Sequence, residues 1–279
     1  MASGLQEDYA RRERDKLRSF LEGMTDWLQN LSLAGLIVVV VAVTFLSSLA
    51  VYVVVMRLAV GSRRDAFKAV SPGMLPPLGL LFGLIVGFLA AQVWSDAGNA
   101  QAAVNREASA LRSAVIVVEA FPSEPETRMS GLIRRYIVDA AESEWPAMAH
   151  RRATLTAIPP SLEEGFQLAI GLSPRSEGEK AAQRELIDSL QSALDARRQR
   201  IILSESSVNW VKWAGVMLVA LLTLIAIAFV HCDNRLSAAL AMGLFTAAVA
   251  ASLVLIAAQQ RPFSGPFAVS PAPLVEVTP

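Results

Sequence analysis

The chain has 279 residues, of which 53% are hydrophobic and 18% are charged, and its formal net charge is zero. Charged residues make up roughly 25% of ordinary soluble domains, so this composition favours a membrane protein, and the neutral balance argues against nucleic acid as a partner. A single cysteine, Cys232, excludes an internal disulfide, and the two distant histidines, His150 and His231, predict no metal site and no cofactor.

The first 33 residues form an amphipathic segment that precedes any long apolar run. Apolar residues recur in it at helical spacing, and several basic residues lie upstream of them. This pattern predicts a helix on the membrane surface or, alternatively, a helix docked against the polar part of the chain. The apolar positions are Leu17, Phe20, Leu21, Met24, Trp27, Leu28 and Leu31.

Four apolar blocks interrupt the polar sequence, at residues 34–56, 74–94, 210–230 and 236–258. Each block is long enough to cross a hydrocarbon layer of ~30 Å as a helix, which satisfies its own backbone hydrogen bonds in lipid. Lys212 is the only full charge within the blocks, and its side chain can extend to the membrane surface. We therefore predict an all-α polytopic membrane protein, with transmembrane helices 1 and 2 in residues 34–94 and helices 3 and 4 in residues 210–258.

Residues 95–209 are polar and predict a helical extramembrane domain inserted between the second and third transmembrane helices. Its first part carries apolar residues at alternating steps of four and three, a seam typical of packed helices. We therefore expect the second transmembrane helix to continue as one long helix to about Ala120. The seam residues are Val104, Ala108, Leu111, Val115 and Val118.

Three further helices are expected in this domain. One covers residues 126–144 and ends at Trp145, because Pro146 disfavours helix at the residue before it. The next begins with Ser161 as N-cap and Glu164 at the capping-box position. The last begins near Ser176 and turns four apolar residues inward, namely Leu186, Leu190, Leu194 and Ile201.

Two features near the ends of these helices have structural interpretations. Trp145 is expected to be a core anchor at a helix end. In the C-terminal tail, residues 259–279, the stretch "RPFSGPF" places Pro262, Gly265 and Pro266 after the fourth transmembrane helix, where they end it. We interpret this stretch as a C-terminal lock.

The second transmembrane helix carries Gly79, Gly83 and Gly87 on one stripe. Each glycine costs a helix roughly 1 kcal/mol against alanine, so the repeat needs a reason. Helices in lipid associate through close backbone approach at small residues, and the fourth helix offers a row with the same spacing. That row is Ala239, Gly243 and Ala247, and the sequence predicts that the two stripes are helix-packing faces, possible partners of each other.

The opposite face of the second transmembrane helix faces either lipid or a central axis. It carries three apolar residues followed by one amide, namely Leu81, Ile85, Phe88 and Gln92. On a symmetry axis the apolar residues would form rings that constrict a pore and gate it by dewetting. The position of Gln92 favours the axis, because an amide is more stable in contact with water than in contact with lipid.

Charged residues of the polar domain leave alternatives open. Glu107 fits a salt bridge or a cap within the helical bundle, or a position at a pore entrance. Arg197, Arg198 and Arg200 fit a solvated patch near lipid headgroups. The same arginines could instead form structural ion pairs with the acidic residues of 142–144, or select anions.

Four segments carry a resemblance to a known family: "GFLAAQVWSDAGNAQAAVNREASAL" (87–111), "RYIVDAAESEWPAM" (135–148), "ARRQRIILSE" (196–205) and "RPFSG" (261–265). In this order and spacing the chain resembles the bestrophin-like family of prokaryotic and plant membrane proteins. Bestrophins, to which that family is distantly similar, are pentameric anion channels whose second span lines the pore with apolar rings. The resemblance therefore implies a pentameric, chloride-conducting channel with a cytoplasmic polar domain.

Two classes of function follow. The first is an oligomeric membrane ion channel with the second transmembrane helix lining the pore. The alternative is a non-conducting oligomeric membrane scaffold or sensor whose helical domain binds a partner. We expect no enzymatic activity, because the sequence contains no catalytic constellation. The expected partners are the lipid bilayer, inorganic ions and further copies of the chain, and the expected location is a bacterial inner membrane.

Overall fold

A computed structural model describes residues 32–69, 72–206, 208–265 and 267–277. In these residues all regular structure is helical. The amphipathic segment expected in residues 1–33 lies, up to residue 31, outside the described residues. In chain order the α-helices are α1 Leu33–Leu58, α2 Ser62–Ala69, α3 Leu75–Val118, α4 Ser123–Asp139, α5 Trp145–Ala149, α6 Pro160–Gly171, α7 Glu177–Ser204, α8 Trp210–Val230, α9 Arg235–Gln259 and α10 Ala272–Val275.

The chain divides into two compact units. The apolar unit comprises Met1–Val93 and Val208–Gln259, and the polar unit comprises Trp94–Ser207 and Gln260–Pro279. The C-terminal residues after α9 therefore belong to the same unit as the long polar region. The helix α3 begins in the apolar unit and ends in the polar unit.

Four helices of the described chain, α1, α3, α8 and α9, are long and apolar enough to cross a membrane. Four apolar helices of membrane-spanning length are thus confirmed at the predicted positions. Their boundaries differ from the predicted ones by at most two residues except at the end of α3. Side-chain caps mark two of the starts. The Ser32 hydroxyl accepts a hydrogen bond from the Gly35 backbone N–H at 3.2 Å, and the Asn209 side chain accepts one from the Val211 N–H at 3.1 Å.

The apolar unit has a core to which three of these helices contribute. Phe82, Leu89 and Val93 of α3 are buried in one cluster with Val216 of α8 and with residues of α9. The rings of Phe82 and Phe245 meet edge to face, with their centroids 5.3 Å apart. This contact between α3 and α9 is made by large apolar side chains. α1 packs against α9 as well, and its buried residues include Thr44 and Ser48.

The helix α3 runs without a break from apolar into polar sequence, as the seam of apolar residues predicts. It ends at Val118, close to the expected end near Ala120. Val104, Ala108, Leu111 and Val118 are buried in the core of the polar unit, and Val115 packs against the same core. The apolar face of the seam is therefore covered by α4, α6 and α7, whose buried side chains complete the cluster.

The last long helix of the polar unit, α7, also matches its prediction. Ser176 is its N-cap and accepts a hydrogen bond from the Glu179 N–H at 3.1 Å. The four residues expected to point inward are buried, namely Leu186, Leu190, Leu194 and Ile201. A stripe of this spacing places α7 with one face on the core and the other exposed.

The expected helix over residues 126–144 is wrong at both ends. It begins at Ser123, directly after Pro122, and the chain stays helical beyond Trp145. A π-helical turn over Ala140–Glu144 leads into α5, and the Trp145 N–H donates to the Ala140 carbonyl. Pro146 then lies in the first turn of α5, where its missing N–H is tolerated.

The expected capping box at Ser161 is also wrong. α6 begins two residues earlier than expected, at Pro160, with Pro159 as N-cap and no side-chain capping bond. Proline is favoured at the first helical position because its φ is already set for a helix, so Pro160 takes that position. Ser161 is buried inside the first turn, and its hydroxyl has no hydrogen-bond partner among the described residues.

Candidate functional site

The polar unit contains a buried ion pair between Glu107 of α3 and Arg200 of α7, whose side chains are both 0% exposed. The contact is bidentate: Arg200 Nε donates to Glu107 Oε2 at 2.7 Å, and Arg200 Nη2 donates to Glu107 Oε1 at 2.9 Å. Of the interpretations offered for Glu107, the salt bridge within the bundle is therefore confirmed. A bidentate pair of this kind fixes both side chains as well as their charges.

A second carboxylate extends the pair into a network. Glu144, from the π-helical turn, accepts from Arg200 Nη2 at 3.0 Å and from Arg197 Nε at 2.7 Å. Arg197 also donates to the Ala157 carbonyl at 3.3 Å. The expectation of a solvated arginine patch is therefore wrong for Arg197 and Arg200, and the alternative pairing with an acid of 142–144 is confirmed. Arg198 is exposed and pairs with Asp195 at 3.0 Å.

Tyr136 of α4 closes the network. Its hydroxyl donates a hydrogen bond to Glu107 Oε1. Burial raises the pKa of Tyr136 well above its usual value of 10.0, and the charge of Glu107 raises it further. Burial alone would lower the pKa of Arg200, but Glu107, Tyr136 and Glu144 favour its charged form and the pKa is raised overall. Both groups therefore keep their protons at any physiological pH.

Trp145 joins the network to the C-terminal residues. The Arg200 guanidinium lies over its ring, 4.6 Å from the centroid, in a cation–π contact. The indole Nε1 donates to the Val269 carbonyl at 3.0 Å, and the ring of Phe263 meets the indole edge to face at 5.7 Å. The predictions of Trp145 as a core anchor and of "RPFSGPF" as a C-terminal lock are thus confirmed.

This arrangement is suited to holding helices together. The network has two guanidinium groups and two carboxylates, and each carboxylate oxygen already accepts at least one hydrogen bond. Within this network, no carboxylate oxygen is without a hydrogen-bond donor. The four sequence segments that carry the family resemblance supply its parts, through Glu107, Tyr136 with Glu144, Arg200, and Phe263. Those segments therefore mark a structural centre of the polar unit.

In the apolar unit, the predicted pore residues lie beside the buried face of α3. Leu81 is 48% exposed and Phe88 is 69% exposed, whereas Ile85 and Gln92 are half-buried. The residues of α3 that do pack in the core, such as Phe82 and Leu89, are rotated about 100° away from this stripe. In one chain, α3 thus presents an apolar stripe that its own helices leave mostly uncovered.

The glycine stripe of α3 is uncovered as well. A Cβ placed at Gly79, Gly83 or Gly87 would meet no atom within 4 Å among the described residues. The same holds for Gly243 of α9, and its neighbours in the predicted row, Ala239 and Ala247, are exposed. The prediction that the two stripes pack on each other within one chain is therefore wrong, because α3 contacts α9 through Phe82 and Phe245. Packing between copies of the chain stays a prediction.

The family model of the bestrophin-like domain matches residues 31–274. The chain belongs to the bestrophin-like family. No curated protein and no solved structure matches it. Because the family match covers α1 to α10 and four of these helices can cross a membrane, this bestrophin-like protein is an integral membrane protein.

One polar contact in the apolar unit of this bestrophin-like chain is absent from the sequence-based predictions. Lys212, in the first turn of α8, donates a hydrogen bond from its ammonium to Oε1 of Gln92 on α3. The sequence identifies both residues, Gln92 as a pore residue and Lys212 as an isolated charge, but no spacing rule relates positions on two separate helices. The buried network differs in this respect, because Arg197 continues the stripe of Leu190 and Leu194 on α7, a signal that could have placed it inward.

Proposed function

We propose that this protein is an oligomeric membrane ion channel in which α3 lines the conduction path. The observation that carries the proposal is the apolar stripe of α3, in which Leu81 and Phe88 are exposed and Ile85 is half-buried, on a helix whose other side packs in the core. The stripe ends in the half-buried Gln92. In a ring of subunits, such a stripe would form stacked apolar rings that control ion passage by dewetting. Membership of the bestrophin-like family supports this proposal.

The assembly we propose is a homo-pentamer, as the resemblance to bestrophins implies. The glycine stripe offers a second uncovered face on α3, roughly opposite the apolar stripe, for close approach of a neighbouring chain. Residues 95–209 form, in this proposal, an extramembrane domain on the cytoplasmic side of a bacterial inner membrane. Inorganic anions are the proposed permeant ions.

The test is ion flux through reconstituted protein whose oligomeric state is known. Native mass spectrometry in mild detergent gives the subunit number, and liposome flux or single-channel recording gives conduction. Leu81, Ile85 and Phe88 are replaced together by alanine in one variant, and Ile85→Ser is a second variant. Both should raise the flux, because they shorten the dry zone or add hydroxyls that hold water.

Leu80→Ala is the matched control, because Leu80 is an exposed apolar residue of α3 that is rotated about 100° from Leu81. Its flux should equal that of the wild-type protein. A monodisperse monomer contradicts the proposal, and so does an intact oligomer in which neither the wild-type protein nor the variants conduct ions.

The alternative is a non-conducting scaffold or sensor, and one feature of the polar unit favours it. An open groove of about 500 Å³ lies between α3 and α7, lined by serine, acidic and other polar side chains. Ser109, Ser113, Ser192 and Asp195 are among its walls, and such a groove could receive a polar segment of a partner. Under this alternative, substitution of the α3 stripe leaves flux at the background of empty liposomes.

A further inference from the structure

We propose that Lys212 and Gln92 together form an anion-selecting site at one end of the conduction path. The inference rests on the proposed channel function and names the residues that would give that channel its preference for anions. Gln92 lies one turn beyond Phe88 on the same stripe of α3, so a path lined by that stripe passes the pair.

The hydrogen bond between the two side chains decides which groups they can offer to an ion. The Lys212 ammonium has three N–H donors and no acceptor, so it must meet the oxygen of the Gln92 amide. With that oxygen engaged, the amide nitrogen keeps its two N–H donors, and the ammonium keeps two more. An isolated glutamine could meet an ion of either sign, whereas this pair offers donors and one positive charge.

No carboxylate of the described residues balances the charge on Lys212. Among the residues that the structure describes, no carboxylate lies within 4 Å of its ammonium. Its neighbours in the first turn of α8, Trp210, Val211 and Trp213, are apolar or aromatic. The backbone N–H groups of that turn add a partial positive charge. A positive charge bordered by apolar groups attracts anions and repels cations.

The arginines that the sequence offers for anion selection do not have this property. Arg197 and Arg200 are buried and are neutralised by Glu144 and Glu107. Lys212 is exposed and is held by a neutral amide. Of these three basic residues, Lys212 is therefore the one whose charge can act on a passing ion.

The expected effect follows from Coulomb's law. An ion that passes about 7 Å from one ammonium in a water-filled path changes its energy by about RT, which is close to a threefold change in local concentration. Removal of the charge lowers the local concentration of anions and raises that of cations. Lys212→Gln should therefore lower the chloride-to-sodium permeability ratio by at least about threefold.

The experiment measures reversal potentials under a NaCl gradient across planar bilayers that contain the full-length oligomer. Lys212→Arg should keep the wild-type ratio, since it keeps the charge. Gln92→Glu should lower the ratio as Lys212→Gln does, because a carboxylate beside Lys212 neutralises it. Arg235→Gln, which removes an exposed charge at the start of α9, is the matched control and should leave the ratio unchanged. Size-exclusion chromatography verifies that each variant keeps the wild-type assembly.

The source of the anion is tested by repeating the recordings in two lipids, pure phosphatidylcholine and a mixture with phosphatidylglycerol. If the two variants lower the chloride-to-sodium permeability ratio equally in both lipids, the result supports selection of a permeant inorganic anion. A decrease of this ratio that is seen only with phosphatidylglycerol overturns the proposal, because Lys212 would then bind a headgroup phosphate. If the wild-type protein conducts ions and both Lys212→Gln and Gln92→Glu keep its chloride-to-sodium permeability ratio, this inference alone is overturned. A wild-type protein that conducts in neither lipid overturns the channel proposal and this inference with it.

Discussion

Replacement of Glu107 by glutamine tests whether the buried network holds the polar unit together. The substitution keeps the shape of the side chain and removes its charge, which leaves Arg200 buried with Glu144 as its remaining carboxylate. Breaking a buried pair on one side costs about 3–5 kcal/mol. In this variant Glu144 is the one carboxylate left for two buried guanidinium groups, Arg197 and Arg200. Both Glu107 and Arg200 are 0% exposed, so water cannot replace the lost partner.

Thermal unfolding in detergent, followed by tryptophan fluorescence, measures this cost. A destabilisation of 3–5 kcal/mol corresponds to a midpoint lower by about 10–15 °C for a unit of this size. Glu164→Gln is the matched control, because Glu164 pairs with Arg135 at 3.5 Å while both are more than half exposed. Exposed pairs contribute under about 1 kcal/mol, so the control midpoint should change by roughly 3 °C or less.

A double variant separates loss of charge balance from loss of packing. Glu107→Leu with Arg200→Met removes one charge of each sign and leaves Glu144 paired with Arg197. Apolar replacements of a whole buried pair are often neutral or stabilising, so this variant should regain much of the stability that Glu107→Gln loses. The reasoning is refuted if Glu107→Gln unfolds at the same temperature as Glu164→Gln.

Three further expectations concern other contacts. Because the pKa of Tyr136 is raised, the folded protein keeps that proton above pH 10, and stability should fall as the pH rises further; Tyr136→Phe should lose this part of the alkaline decline in thermal unfolding between pH 8 and 11. Gly83→Leu should reduce the oligomer fraction in native mass spectrometry much more than Leu84→Ala, and equal fractions would show that the glycine stripe packs on nothing. Trp145→Phe removes the hydrogen bond to the Val269 carbonyl and should cost about 1–3 kcal/mol, with faster proteolysis of the C-terminal residues than in the wild-type protein.

The fold could be predicted from the sequence where length and periodicity alone decide it. A run of about 20 apolar residues can satisfy its backbone in lipid only as a helix, so the four membrane helices follow from composition. The alternating seam from Val104 to Val118 likewise predicts the continuation of α3. Errors arose at Pro146 and Ser161, where a local preference competes with the helix that surrounds it. In both places a proline took a first-turn position that the sequence alone leaves ambiguous.

The candidate site could be predicted only in part, because its contacts join residues that are far apart in the sequence. Glu107 and Arg200 are 93 positions apart, and no spacing rule relates them. The sequence does show that Leu190, Leu194, Arg197 and Ile201 share one stripe of α7, so Arg197 is inward by periodicity. The three arginines therefore do not form one surface patch. Arg198, rotated by about 100° from Arg197, is the member that is exposed.

The two units differ in whether their basic side chains are neutralised by carboxylates. In the polar unit, the buried arginines are neutralised by carboxylates that already have all their oxygens engaged, so these charges stabilise helix packing and leave nothing for a mobile ion. In the apolar unit, Lys212 has a neutral partner, and its charge is retained beside an uncovered stripe of α3. A side chain whose charge is compensated cannot select an ion, whereas one held by an amide can. If this protein prefers anions, that preference should therefore depend on Lys212 and be insensitive to charge-balanced changes at Glu107 and Arg200 that keep the fold.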